Sequence, residues 1–146
     1  MPNQVLIGAT VTAVLVILAV GVHYEMLSLI SNGARRMRLG RRIRVGIAVL
    51  GALGAHFVEV ILFAIGWEIL LSAGIAQLSI EEPSFVEILY FSTSTHTSLG
   101  YGDIVPIGSS GLLAGSEALT GLVLIAWTAS FTYFEMRAFW DSGAGR

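Results

Sequence analysis

Apolar positions in this chain gather into three long runs separated by short polar segments. Residues 2–24 carry no formal charge, and Val5 to Val22 alone provides enough length to cross a bilayer, which takes about 20 apolar residues. A second run starts after Arg44 and continues to about Ile80, interrupted by His56, Glu59 and Glu68. A third, Leu112 to Phe134, is broken only by Glu117. These runs predict an all-α membrane protein with three transmembrane helices. The segment between the second and third has a different pattern. Pro83 in a first-turn position, and Ser84 three residues before Glu87, form helix-start signals of the capping-box type. Phe85, Ile88, Leu89 and Phe91 follow at helical spacing, and the helix must stop by Gly100. Ser84 to Thr97 is too short to span, so it predicts a re-entrant helix followed by non-helical backbone protected inside protein.

Composition agrees with the runs. Of 146 residues, 55% are hydrophobic and 12% charged, against about 25% charged in a soluble domain. That excludes a water-soluble fold and leaves no room among these residues for a separate catalytic domain. Charge placement then sets an orientation. Six of the eight basic residues are Arg35, Arg36, Arg38, Arg41, Arg42 and Arg44, and there is no Lys. The positive-inside rule puts this loop in the cytoplasm, against anionic lipid headgroups at about 1 kcal/mol per Arg. The N-terminus and the segment from about Ser79 to Ser110 are then outside, and the C-terminus, beside Arg137, is inside. A cleavable signal peptide is disfavoured, because the four residues before the first run carry no base. The expected organisation is an N-terminal transmembrane helix (1–34), a cytoplasmic Arg-rich loop (35–44) and a pore-like unit (45–146). Cys is absent, so disulfides and thiolate metal sites are excluded.

The chemistry lies in the outer segment. Glycines on either side of Tyr101 permit backbone conformations that an L-residue avoids, so successive carbonyls can point the same way. Such a stack of oxygens can replace the water around a dehydrated cation. The C-terminal end of the preceding short helix adds about half a negative charge. Ser98-Leu99-Gly100-Tyr101-Gly102-Asp103 resembles the potassium-channel selectivity filter, usually Thr-Val-Gly-Tyr-Gly-Asp, preceded by its pore helix. The string YFSTSTHTSLGYGDIVP is similar to small bacterial ion-channel proteins, and the resemblance runs from about Val45 to Phe134. It implies K⁺ coordination by the carbonyls of Leu99, Gly100 and Tyr101 and by the hydroxyl and carbonyl of Ser98, with Gly102 completing the filter and Asp103 at the outer mouth. It also implies a C4 homotetramer, since one chain supplies one pore loop, no cofactor beyond the permeant K⁺, and residence in a bacterial inner membrane. The first helix has no counterpart in the simplest two-helix members and is expected outside the pore helices.

Departures from the family pattern are local. Ser98 replaces Thr, Leu99 replaces Val, and Tyr90-Phe91 stand where a Trp pair often braces the filter Tyr. Ser94 stands where some members carry an acid, and Gly121 falls near the expected inner-helix hinge. On sequence, Ser98→Thr is expected to leave selectivity equal or sharper. Three further expectations concern ionisable groups. His56 and Glu59 share a face of the second span, as a pair satisfied mutually or by Thr128 or Ser130, or as two ligands of an incomplete metal site. His23 and Glu25 fall near the inner membrane interface. His96, at the end of the short helix, is either a buried neutral imidazole donating to a nearby hydroxyl or the partner of Glu117 in a pH-responsive unit. No nucleotide loop, catalytic triad or nucleic-acid motif is present, so an enzyme and a nucleic-acid partner are not expected. Alternatives to a K⁺ channel are a poorly selective cation channel and a non-conducting membrane sensor or assembly subunit on the same scaffold.

Overall fold

A computed structural model describes residues 2–36 and 40–141. It contains four helices: α1 (Pro2–Arg36), α2 (Arg41–Ser72), α3 (Phe85–His96) and α4 (Ser110–Asp141). Among the described residues there is no strand, only an isolated antiparallel bridge between Leu78 and Pro106. Three helices are long and apolar enough to cross a membrane, over Asn3–Gly33, Arg42–Ser72 and Ser110–Arg137. The chain is an all-helical membrane protein. At 12 residues, α3 is about 18 Å long and cannot cross.

Several boundaries differ from the sequence expectation. The Arg cluster is mostly helical: α1 continues through Arg35 and Arg36, and Arg41, Arg42 and Arg44 open α2. Arg is a good helix former, so charge alone does not break the helix. Arg38 lies outside the described residues. At its other end α2 stops at Ser72, not near Ile80. Gly74, at φ +66°, turns the chain, and the N–H groups of Ile75 and Ala76 both donate to the Leu70 carbonyl, at 2.9 and 3.0 Å. The apolar run continues because this extended stretch is also packed. Leu78 is buried in the core, with Ile75, Ala76 and Ile80 against it. Ser79 N–H donates to the Val105 carbonyl and Ile107 N–H to the Gln77 carbonyl, both at 2.9 Å, which fastens together the two ends of the segment between α2 and α4.

The core joins all four helices: Leu15 and Ala19 of α1, Phe63 and Trp67 of α2, Ile88 and Phe91 of α3, and Leu113 and Leu124 of α4. In lipid, association rests on close packing more than on escape from water, and small residues let helices approach. Buried Ala48, Ala52 and Ala55 form such a stripe on α2. Large apolar side chains such as Ile17, Leu29, Leu50 and Leu119 face outward, which suits a hydrocarbon solvent.

Gly121 has a visible packing role. A Cβ there would collide with the His96 carbonyl and fall 2.7 Å from its carbon. Glycine at this position therefore lets α4 press against the end of α3. Through this point α4 is one continuous helix.

Candidate functional site

The short helix is built by its caps. Ser84 Oγ accepts from Glu87 N–H at 3.4 Å, and Glu87 Oε2 accepts from Ser84 N–H at 2.8 Å, the reciprocal pair the sequence predicts. Pro83 stands one residue before this cap, outside the first turn. The Ser84 hydroxyl and amide hold the Glu87 carboxyl below its ordinary range.

At the other end, α3 organises the backbone that follows. Leu99 and Gly100 N–H donate to the Ser94 carbonyl at 2.9 and 3.2 Å, and Tyr101 N–H donates to Ser94 Oγ at 3.3 Å. Because a trans peptide holds C=O opposite N–H, the carbonyls of Ser98, Leu99 and Gly100 are directed away from α3. The φ angles alternate in sign: Ser98 +57°, Gly100 +55° and Gly102 +81° are positive, whereas Leu99 and Tyr101 are not. This alternation turns successive carbonyls to one side. Two of the positive positions are glycines, where it costs least. Ser98 is the third, and no residue-type signal in the sequence marks its left-handed backbone. Its hydroxyl lies 3.5 Å from the Ala118 carbonyl of α4, where it acts as a donor.

The outer side is braced by tyrosines. Tyr90 stacks on Tyr101, with ring centres 6.1 Å apart and planes 8° from parallel. Its hydroxyl donates to Asp103 Oδ2 at 2.8 Å. That bond holds the Asp103 carboxyl below its usual range and pushes the Tyr90 hydroxyl up. One α3 side chain thus positions both the ring of Tyr101 and the acid at residue 103.

Behind α3, fully buried Glu117 accepts from Trp67 Nε1 at 2.8 Å and from Ser92 Oγ at 2.5 Å. This corrects the expected His96–Glu117 pair. Trp67 and Ser92 take the Glu117 oxygens, and His96 faces Glu59, with Nε2 3.4 Å from Oε2.

His23 is also corrected. It is buried, not interfacial, and its Nδ1 lies 2.7 Å from Glu59 Oε1. His56 Nδ1 lies 2.9 Å from Glu59 Oε2, so the expected His56–Glu59 pair forms. Thr128 Oγ1 lies 2.9 Å from His56 Nε2, while Ser130 donates to the Ala126 carbonyl. All three histidines of the chain therefore surround one carboxylate. Spacing along α2 exposes only the His56–Glu59 pair, because His23 and His96 arrive on other helices.

The family described as "Ion channel" matches residues 55–136, more than half of the chain, spanning most of α2, the whole outer segment and most of α4. A stretch of 70 residues is 40% identical to protein LctB of Bacillus caldotenax, covering 48% of this chain and 46% of that protein. The chain thus matches about half the length of this curated relative. No solved structure matches the chain.

Proposed function

The chain belongs to the ion-channel family, and on that footing we propose that it is one subunit of a homotetrameric channel passing K⁺ down its gradient. The observation that carries this reading is the alternating backbone from Ser98 to Gly102 at the end of a capped short helix. In this reading α3 is a re-entrant pore helix. Carbonyls of Ser98, Leu99, Gly100 and Tyr101 from four copies close rings of oxygen around dehydrated K⁺. Asp103 stands at the outer mouth, where Glu81, Glu82 and Glu87 add to the cation concentration. The Arg-rich end is cytoplasmic and lies on anionic lipid, the N-terminus is outside, and α1, beyond the matched region, surrounds the pore helices. No cofactor other than the permeant ion, and no catalysis, belongs to this reading. Purified protein in liposomes tests it through the reversal potential with K⁺ against Na⁺. A K⁺-selective potential is expected, and absence of cation flux would refute a channel.

A second reading has its own observation. The Ser98 hydroxyl is directed to Ala118, which weakens its use at the innermost ion level. Equal K⁺ and Na⁺ permeability in the same assay would select a poorly selective cation channel.

A further inference from the structure

The buried cluster beneath α3 is not needed to form a filter, yet it draws on every helix. α1 brings His23, α2 brings His56 and Glu59, α3 brings His96, and α4 brings Thr128. We propose that His23, His56, Glu59 and His96 form a binding site for one divalent transition cation of the Zn²⁺ class.

Donor type and spacing both fit. One ligand atom each from His23, His56 and Glu59 lies within 4.8 Å of the others. Tetrahedral zinc, with bonds near 2.0–2.1 Å, places neighbouring donors about 3.3 Å apart. The His23 nitrogen stands 2.7 Å from Glu59 Oε1, and those of His56 and His96 stand 2.9 and 3.4 Å from Oε2; His23, His56 and Glu59 form the preassembled set, and His96 completes it by turning its ring toward them. His96 supplies an independent sign of an unfilled role. It is 1% exposed; beyond the 3.4 Å approach of Nε2 to Glu59, neither ring nitrogen has a hydrogen-bond partner among the described residues, an arrangement that costs free energy unless another group engages it.

Three imidazoles with one carboxylate select Zn²⁺ and its neighbours over Mg²⁺ or Ca²⁺, which prefer all-oxygen shells. The outer partner is also in place. Thr128 Oγ1 lies 2.9 Å from His56 Nε2 and 3.4 Å from His23 Nε2. In the tautomer that leaves Nδ1 free for metal and carries the proton on Nε2, both Nε2–H groups can donate to this hydroxyl and fix the rings.

Co²⁺ is the probe, added to tag-free protein in detergent so that these are the only histidines present. One Co²⁺ per chain is expected, with intense visible d–d absorption of tetrahedral coordination that Zn²⁺ displaces. Glu59→Gln should lose that absorption. Thr128→Val, which keeps all four ligands, should weaken Co²⁺ binding by about 10- to 100-fold while retaining the spectrum. Gel filtration and helical circular dichroism check that each variant is folded. If Glu59→Gln does not fold, the parent spectrum and Thr128→Val decide. No Co²⁺ binding by the parent, weak octahedral-type bands, or Co²⁺ binding unchanged in Thr128→Val would overturn the site and leave a proton-sharing cluster.

Discussion

Replacing Gly100 by alanine isolates the conformational requirement of the proposed filter. Gly100 sits at φ +55°, and apart from its chain neighbours an added Cβ would meet no atom within 4 Å among the described residues. The substitution therefore acts through backbone preference and not through a clash. Holding a residue with a Cβ in the left-handed region costs about 1–2 kcal/mol. In a tetramer the four filters must adopt this conformation together, which brings the cost to about 4–8 kcal/mol per pore. At 1.4 kcal/mol per tenfold, the population of correctly formed pores falls by about 10³- to 10⁶-fold. Concentrative cation uptake into proteoliposomes measures this, with cross-linking to confirm that tetramers still assemble. Gly46→Ala is the matched control. Gly46 lies within α2 with nothing within 4 Å, and alanine is preferred there by about 1 kcal/mol, so uptake should persist. Uptake by Gly100→Ala within tenfold of the parent would refute the dependence of conduction on a left-handed residue 100.

The backbone at Ser98, φ +57°, reverses the expectation for Ser98→Thr: a β-branched residue is strongly disfavoured there, so K⁺ uptake should fall, and undiminished uptake would exclude that conformation in the working pore. Trp67→Phe removes a donor from buried Glu117 and should cost about 1–3 kcal/mol of stability per chain, read as earlier thermal unfolding in detergent. Tyr90→Phe removes the bond that keeps the Asp103 carboxyl low. Because that carboxyl titrates below its free value of about 3.9, the bond contributes fully above that value and is lost as pH falls through the lowered one. In the variant, external acid should therefore suppress K⁺ current at a higher pH than in the parent; coincident acid profiles would count against the Tyr90–Asp103 bond. With native Cys absent, an impermeant thiol reagent added outside should label Asn3→Cys and not Ser142→Cys, and the opposite result would invert the proposed orientation.

Features that depend on local chain chemistry were legible in the sequence. Hydropathy marked the three spans, and Ser84 with Glu87 marked the start of α3, because a capping box is complete within four residues. Gly100 and Gly102 announced two of the three positive φ angles between residues 98 and 102, but Ser98 did not, since serine carries no comparable signal for left-handed backbone. Contacts between helices were the least visible. His23 lies 36 residues from Glu59, and no periodicity within α1 reveals that its ring turns onto α2. Hydropathy near the inner end of a span suggested an interface, whereas packing against α2 and α4 buries the residue. Glu117 and His96 were close enough along the expected geometry to suggest a pair. The competing donors Trp67 and Ser92 decide otherwise, and neither is marked by charge.

The contact between Gly121 and the His96 carbonyl has a mechanical consequence. One helical turn above it, Glu117 is latched to Trp67 and Ser92, so the upper part of α4 is anchored at two successive levels. Lower down, Thr128 is hydrogen-bonded to His56 and faces His23, so movement of the lower part has its fulcrum near residue 128. From there to Asp141 the helix forms a lever arm of about 20 Å at 1.5 Å per residue, and a 10° swing carries its tip by about 3 Å. Such a swing would pull on the Ser31–Glu135 hydrogen bond, 2.8 Å long, before it disturbed the backbone at Ser98. Force applied near Asp141 would thus be converted into displacement below the fulcrum while the backbone from Ser98 to Gly102 stayed nearly stationary.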